Sequence, residues 1–567
     1  MSELLTGAQI LRRTLVDAGV DVMFGYPGGA IMPFYDALHG GDGLRHILVR
    51  HEQAAAHAAD GYARAANRVG VCVATSGPGA TNLVTGLATA HMDGSPVLAI
   101  TGQVARPMLG KDAFQETDVV GVTMPVTKHN VLVRDIEDLA DDVREAMAIA
   151  MEGRPGPVLV DVPKDVQNQK AEYKAPGAGS RSLPRAERGE PGKPQHQALD
   201  AGIQQAAQLI AEAKRPLLMI GRGVIVSGAY AEVRALAERT GMPVITTLLG
   251  ISAFPQSHEL HLGMPGMHGE VHINKAIQAA DLLVGIGMRF DDRVTGNTAT
   301  FAPRAKIVHI DIDAAAIGRT VRCDVALVGD ARGILQQLLG EVAPRDCVPW
   351  RQEIAALMHQ REELFTGGLS PDVILSALAE VTGGHCTIVS DVGQHQMWVA
   401  QRYPFERPNT HITSGGLGAM GFAVPAAMGV RLARPDEPVW AISGDGGFQM
   451  NMAEIATMVQ EGIEVKLAIF NNGYLGMVRQ WQQFFHGGRY SNTPIWSPDY
   501  VKLAAAYGIP GWRVKKATEV TDALREANDT PGPTLVELVI EQEANVFPMI
   551  VPGGSLSEPL EAAPAQT

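Results

Sequence analysis

Cysteine is scarce: Cys72, Cys323, Cys347 and Cys386 are scattered singly through 567 residues. They have neither metal-site spacing nor a disulfide framework, as in a chain kept in a reducing cytosol. Basic charge is also in deficit, with 47 Lys and Arg against 61 Asp and Glu and a net charge of −14. That balance argues against nucleic acid or any other polyanion as partner. No apolar run reaches the ~20 residues of a membrane span. The first residues pass directly into a helical pattern through Ile10, Leu11, Leu15 and Val16, without a signal or transit profile. The expectation is a soluble, cytoplasmic protein with no membrane partner.

What the sequence does contain is a run from Gly444 to Asn472 around which the rest is organised. Ile442-Ser443-Gly444-Asp445-Gly446-Gly447 closes an apolar run, a helical pattern continues to Val459, and Val465–Phe470 leads into Asn471-Asn472. A βαβ unit is expected. Glycines in the first turn let backbone approach a ligand, and the helix N-terminus beyond suits a phosphate. Neighbouring parallel strands end on one side of a sheet. The Asp445 carboxylate and Asn472 amide therefore converge on one point, where a small hard cation such as Mg²⁺ would find oxygen ligands. Each half alone reads as an ordinary turn. Together, a Gly-Asp-Gly turn and, 27 residues on, the second of two asparagines resemble the metal and diphosphate motif of thiamine-diphosphate enzymes.

Two polar stretches divide the chain, the first rich in charge, Pro and Gly and the second a short polar helix between Pro/Gly breaks, giving expected parts at 1–170, 196–345 and 369–567 with connectors at 171–195 and 346–368. Each part alternates apolar strand-like runs with amphipathic helices, so the predicted class is α/β, three doubly wound parallel sheets. A shift of 368 residues sets 51–100 on 419–468 without gaps. Of those 50 pairs 11 are identical, including Gly61/Gly429 and Gly79/Gly447. The turn Thr75–Gly79 falls on Ser443–Gly447, so the outer parts are read as homologous sheets, the third alone carrying the metal ligand. In the first part Gly25–Ala30 is a strand-to-loop turn, and Arg50-His51-Glu52-Gln53 opens an Ala-rich helix. By residue type Glu52 simply favours the helix dipole. In the middle part apolar runs end in Gly221-Arg222-Gly223 and Gly285-Ile286-Gly287, and Ile307–Ile312 carries Asp311. Nucleotide binding stands open there, because the full G-x-G-x-x-G fingerprint is missing from that part.

Along nearly its whole length the sequence resembles the catalytic large subunits of the acetolactate synthase (acetohydroxyacid synthase) family of thiamine-diphosphate enzymes. The stretches that carry the resemblance are Gly25–Ala30, His51–Arg64, Thr75–Asn82, Thr101–Val104, Asp112–Thr117, Arg154–Val158, Arg289–Gly296, Gly393–Gln396, Gly416–Gly421, the metal motif, Gln480-Trp481 and Phe547–Met549. Glu52 and the metal motif are common to thiamine enzymes. Phe114-Gln115, Asp291–Gly296 and Trp481 narrow the family.

The resemblance implies a pyrimidine-binding domain at 1–170, a central FAD-binding domain at 196–345, and a diphosphate-binding domain with a C-terminal lid or tail at 369–567. It implies decarboxylation of pyruvate and ligation of the hydroxyethyl unit to a second pyruvate or to 2-oxobutyrate, the entry to valine, leucine and isoleucine synthesis. Implied cofactors are thiamine diphosphate, Mg²⁺ and a structural FAD. Carried over by position, Glu52 activates the thiamine, with Pro78, Asn82, Gln394, His395, Gly418, Met420, Gly444, Gly446, Gly447 and Met477 around it, and Asp445, Asn472 and the Tyr474 carbonyl hold the metal. FAD falls to Arg154, Gly221, Arg222, Gly223, Thr247, Leu248, Gly266, Met267, His268, Gly287, Met288, Arg289, Asp311, Ile312, Asp324 and Val325. Substrate falls to Gly28, Gly29, Phe114, Gln115 and Lys164 along a channel, and to Arg293 and Trp481 in the pocket for the second acid. By residue type alone, Met420 is a core methionine, Arg293 a surface ion-pair partner, Trp481 a core aromatic and Lys164 a solvated loop lysine. A homodimer or homotetramer with active sites at the subunit interface is implied, and a small regulatory subunit stands open. The alternatives are a pyruvate oxidase, a 2-oxo acid decarboxylase or a catalytically silent cofactor-binding subunit.

Overall fold

Runs such as Gly70–Ala74, Leu282–Ile286 and Val439–Ile442 bury every residue, as parallel strands covered by helices on both faces require. In the computed structural model, which describes residues 4–176, 194–358 and 369–563, such runs build three six-stranded sheets. From edge to edge the first sheet is Arg45–Leu48, Val22–Gly25, Gly70–Ala74, Val97–Gln103, Val158–Pro163 and His129–Leu132, all parallel. The third is His411–Thr413, Thr387–Ser390, Val439–Gly444, Lys466–Asn471, Thr534–Val539 and Gly511–Val514, also all parallel. Numbered in chain order within each sheet, both run 2-1-3-4-6-5, the identity of topology expected of the repeat. The middle sheet runs 3-2-1-4-5-6, also parallel, the order of dinucleotide-binding sheets.

The repeat also explains how the outer parts meet. Helix Glu52–Ala66 packs on helix Ala423–Ala433. A Cβ on Gly61 would stand 2.1 Å from the Ala426 carbonyl oxygen, and one on Gly429 would stand 1.9 Å from that of Ala58. Both pairs obey the 368-residue shift, so the contact is a quasi-two-fold axis inside one chain. Glycine is required at both positions because the helices approach backbone to backbone. Arg50 N–H adds a hydrogen bond to Glu454 Oε1 at 2.8 Å across the same junction.

Where they are described the connectors are packed against their neighbours, the short polar helix expected in the second included. Lys170–Glu172 pairs antiparallel with Leu4–Thr6. Val348–Ala356 is a helix whose Trp350 and Ile354 are buried in the middle core, because an indole and an isoleucine one turn apart give the otherwise polar segment an apolar face. Residues 177–193 and 359–368, the remainder of the expected connectors, lie outside the described residues. The C-terminal segment is packed: Met549–Ile550 pairs with Pro559–Leu560, and Ile550 and Leu556 enter the middle core. The last four residues of the expected tail, 564–567, lie outside the description. Among the described residues no helix is long and apolar enough to cross a membrane.

Candidate active site

In an open parallel sheet, ligands bind beyond the carboxyl ends of the strands where the order reverses. In the third sheet that point lies between Thr387–Ser390 and Val439–Gly444. A small pocket there is lined by Gly393, Gln394, His395, Met420, Gly444, Asp445, Gly446, Gly447, Asn472, Tyr474 and Met477. Asp445 is buried; it accepts hydrogen bonds from Gly473 N–H at 2.9 Å and Gly446 N–H at 3.1 Å. Desolvation outweighs them and pushes its carboxyl up to about 7. A buried carboxylate in need of positive charge, with an amide oxygen and a main-chain turn beside it, is a donor set that fits a hard cation. Asn472 Oδ1 accepts from Tyr474 N–H at 3.0 Å, and Asn472 Nδ2 donates to Gln394 Oε1 at 3.4 Å. His395 accepts from Gly444 N–H at 3.2 Å, and burial pushes its pKa down to about 3, so the ring is neutral.

The glycines of this turn have a reason the sequence did not reveal. A Cβ on Gly446 would stand 2.7 Å from Leu475 Cδ2, and one on Gly447 2.9 Å from Asp391 Oδ2. Gly447 thus leaves room for the Asp391 carboxylate, and Gly446 for the Leu475 side chain, which itself lines the pocket.

The equivalent point of the first sheet gathers Gly28, Glu52, Pro78 and Asn82. Asn82 Nδ2 donates to Glu52 Oε2 at 2.9 Å, and Thr75 packs against Gly28 and Gly79. Nearby, Gly77 leaves room for Gln115, whose φ of +59° is held within a loop whose Gly110 and Ala113 N–H groups both donate to Glu116. Phe114 stands 88% exposed and Lys164 is exposed. Within one chain these residues do not meet the other half: Glu52, Pro78, Asn82, Gly28, Gly29, Phe114, Gln115 and Lys164 line neither the Asp445 pocket nor the large cavity beside it.

That cavity, about 780 Å³, opens at the switch point of the middle sheet. Arg154, Arg222, Gly223, Thr247, Leu248, Met267, His268, Gly287, Met288, Arg289, Asp311 and Ile312 line it, as do Gly418, Met420, Met477, Arg293 and Trp481. Val392, Gly393, Met420, Met477 and Val478 are common to its wall and that of the Asp445 pocket. Arg222 Nε is buried without a hydrogen-bond partner, and desolvation together with the nearby Arg64 pushes the guanidinium down to about 9. A phosphate would reverse both effects, so the cavity fits a dinucleotide. Arg293 lies with Cζ 6.0 Å from the Trp481 ring centroid and with Nη1 3.3 Å from the Met267 sulfur.

Four expected flavin residues do not line the cavity. Asp324 instead accepts from Ile307 N–H at 2.8 Å, fixing strand register, and Val325 is in the middle core. Gly221 and Gly266 serve close backbone packing, against Gly287 and Arg293 respectively. Conversely, Asp93, Asp330, Ala331 and Gly415 line the cavity without a sequence motif to mark them, and Gln396, Gly416 and Leu417, within stretches that carry the resemblance but given no role there, line it too. Asp330 and Ala331 follow strand Val325–Val328, so strand order would have found them; Asp93 comes from the first part and had no local signal.

Comparison with known families agrees with this geometry. The thiamine pyrophosphate enzyme N-terminal TPP-binding domain matches residues 5–122, the central domain 203–338 and the C-terminal TPP-binding domain 391–538. The three matches, on three parallel sheets in this order, define a thiamine-pyrophosphate-dependent enzyme. The chain is 48% identical to the acetolactate synthase large subunit of Corynebacterium glutamicum over 98% of this chain and 90% of that one. It is 48% identical to the acetolactate synthase large subunit of Mycobacterium tuberculosis, over 98% and 91%. To the acetolactate synthase isozyme 3 large subunit of Escherichia coli it is 42% identical, over 98% of each. The chain belongs to the acetolactate synthase family.

Proposed function

We propose that this acetolactate synthase decarboxylates pyruvate and ligates the two-carbon unit to a second pyruvate, giving 2-acetolactate, or to 2-oxobutyrate, giving 2-aceto-2-hydroxybutyrate, the first common step toward the branched-chain amino acids. Thiamine diphosphate, when bound, supplies the nucleophilic carbon and the electron sink for decarboxylation. Asp445 and Asn472, with the Tyr474 carbonyl, would hold Mg²⁺ and through it the diphosphate. Glu52, which accepts from Asn82, would hold the pyrimidine ring of the cofactor through a shared proton. Met420 would prop the cofactor, and the residues of the large cavity would hold FAD as a structural group. Arg293 pairs with the carboxylate of the second acid, while Trp481 packs beside its alkyl group. Keeping water from that space prevents protonation where ligation is required.

What supports ligation over simple decarboxylation is the meeting of Arg293 and Trp481 in a cavity wall that also holds Met420 and Met477. Trp481→Leu is therefore expected to lower discrimination for 2-oxobutyrate over pyruvate by about tenfold, the scale of a shaped apolar pocket, with carbon dioxide release within about threefold of the parent. A competition assay on mixed substrates reads both. An unchanged product ratio would contradict the role of Trp481.

A further inference from the structure

Asp93 closes helix Val84–Asp93, where a negative charge opposes the helix dipole, and its side chain is fully buried. Such a placement is costly unless the charge is paired and hydrogen-bonded. Arg64 supplies the charge: Nη2 lies 2.8 Å from Asp93 Oδ2, while Nε and Nη2 also bind Asp60 at 2.7 and 2.8 Å. The hydrogen bonds come from the third part of the chain, where Gly416 N–H donates to Asp93 Oδ1 at 2.6 Å and Gly415 N–H to Oδ2 at 3.2 Å. Arg64 Nη1 donates to the Thr413 carbonyl at 2.7 Å.

The segment so gripped is a wall. Ser414–Gly418 and Met420 line the large cavity, and Met420 also lines the Asp445 pocket. Its ends are fixed from the third part itself, Ala419 N–H to Ser414 Oγ at 2.9 Å and Gly421 N–H to Asp391 Oδ1 at 2.8 Å. Between those ends, Asp93 takes the two N–H groups that set how far the wall leans into the cavity.

We propose that Asp93 is a positioning residue: held by Arg64, it sets the Ser414–Met420 wall between the two cofactor sites, so that flavin binding depends on a carboxylate from the first domain. The inference rests on the reading of the large cavity as the FAD site. Two variants attack the grip differently. Asp93→Asn keeps the side chain's shape and removes its charge. Gly416→Ala leaves the buried charges intact but brings a Cβ to 2.8 Å from Asp93 Oδ1 and 3.0 Å from Met92 Cβ, pushing the wall away. Asp60→Asn is the control: Asp60 shares with Asp93 both Arg64 and the charge interaction with Arg222 in the cavity wall, but its hydrogen bonds run to Arg64 and Ser95 rather than to the wall, so it differs from Asp93→Asn in the grip alone.

The test is titration of the FAD-stripped full chain with FAD, followed by flavin fluorescence, beside thermal denaturation of each variant. Asp93→Asn and Gly416→Ala should each weaken FAD by about tenfold or more, the scale of lost charge-assisted hydrogen bonds. Asp60→Asn should stay within about threefold of the parent even where its thermal stability falls as far. Parent-like FAD binding by Asp93→Asn and Gly416→Ala would overturn the positioning role while leaving the flavin site intact. Equal weakening in Asp60→Asn would overturn it too, by making the cluster a structural one. A parent that binds no FAD would overturn the flavin reading and the inference with it.

Discussion

Single buried groups in this chain divide into those a cofactor would satisfy and those it would not. Asp445 and Arg222 belong to the first kind; Asp161 belongs to the second. Inside strand Val158–Pro163, Asp161 accepts from Thr101 Oγ1 at 2.7 Å and Gln103 Nε2 at 2.9 Å, and burial pushes its carboxyl from 3.8 up to about 7. The folded chain thus binds this proton more tightly than the unfolded one. The stabilisation is fully present below pH ~4 and is lost as pH rises through 7, about 4 kcal/mol in all. Asp161→Asn has no proton to lose. Chemical denaturation should show the stability of the variant, relative to the parent, more favourable at pH 8 than at pH 5. Equal differences at the two pH values would contradict this. Residues of this kind are the hardest to read from sequence: Asp161 interrupts an apolar strand run and Asp93 ends a helix, and only three-dimensional closure reveals what partners hold each buried carboxyl. Asp445 was legible because its turn and the partner asparagines lie in one continuous βαβ stretch.

At the scale of elements, legibility followed sequence distance. The three sheets were readable from apolar runs and glycine ends, and the 368-residue shift anticipated the shared 2-1-3-4-6-5 order. The middle sheet lacks the fingerprint by which its class is usually recognised, yet its strand order and the cavity at its switch point need only Gly221-Arg222-Gly223 and Gly287 packed backbone to backbone. Helix Val348–Ala356 is legible as a short polar helix but not as part of the middle core, because its charged residues hide Trp350 and Ile354. The quasi-symmetric helix pair carries the sharpest prediction. In Gly429→Ala the new methyl meets the Ala58 carbonyl oxygen at 1.9 Å, and the overpacking outweighs the ~1 kcal/mol gained in helix propensity. A net loss of about 2 kcal/mol or more is expected, seen as a drop in thermal midpoint of the full chain. A variant as stable as its parent would mean that the helices do not meet there.

At the scale of the molecule, the residues proposed as the two halves of the thiamine site stand apart within one chain. Glu52 and its neighbours lie beyond the strand ends of the first sheet, Asp445 and Asn472 beyond those of the third; among the described residues neither the Asp445 pocket nor the large cavity is lined by Glu52, while Phe114 and Trp496 stand 88% and 80% exposed. Two copies arranged so that the first sheet of one faces the third sheet of the other would complete two sites. Glu52→Gln and Asp445→Asn should each be inactive alone. Mixed and allowed to exchange subunits, they should regain about a quarter of parental activity, since half the random dimers carry one intact site. No recovery despite demonstrated exchange would place both halves in one subunit. The central claim is carboligation, and product identity tests it most directly. The purified chain would be incubated anaerobically with thiamine diphosphate, Mg²⁺, pyruvate and 2-oxobutyrate, with and without FAD, and the carbon products read by NMR. Acetolactate together with acetohydroxybutyrate, both lost when FAD is stripped, is the expected result. Acetaldehyde alone, or acetate with reduced flavin, would contradict it.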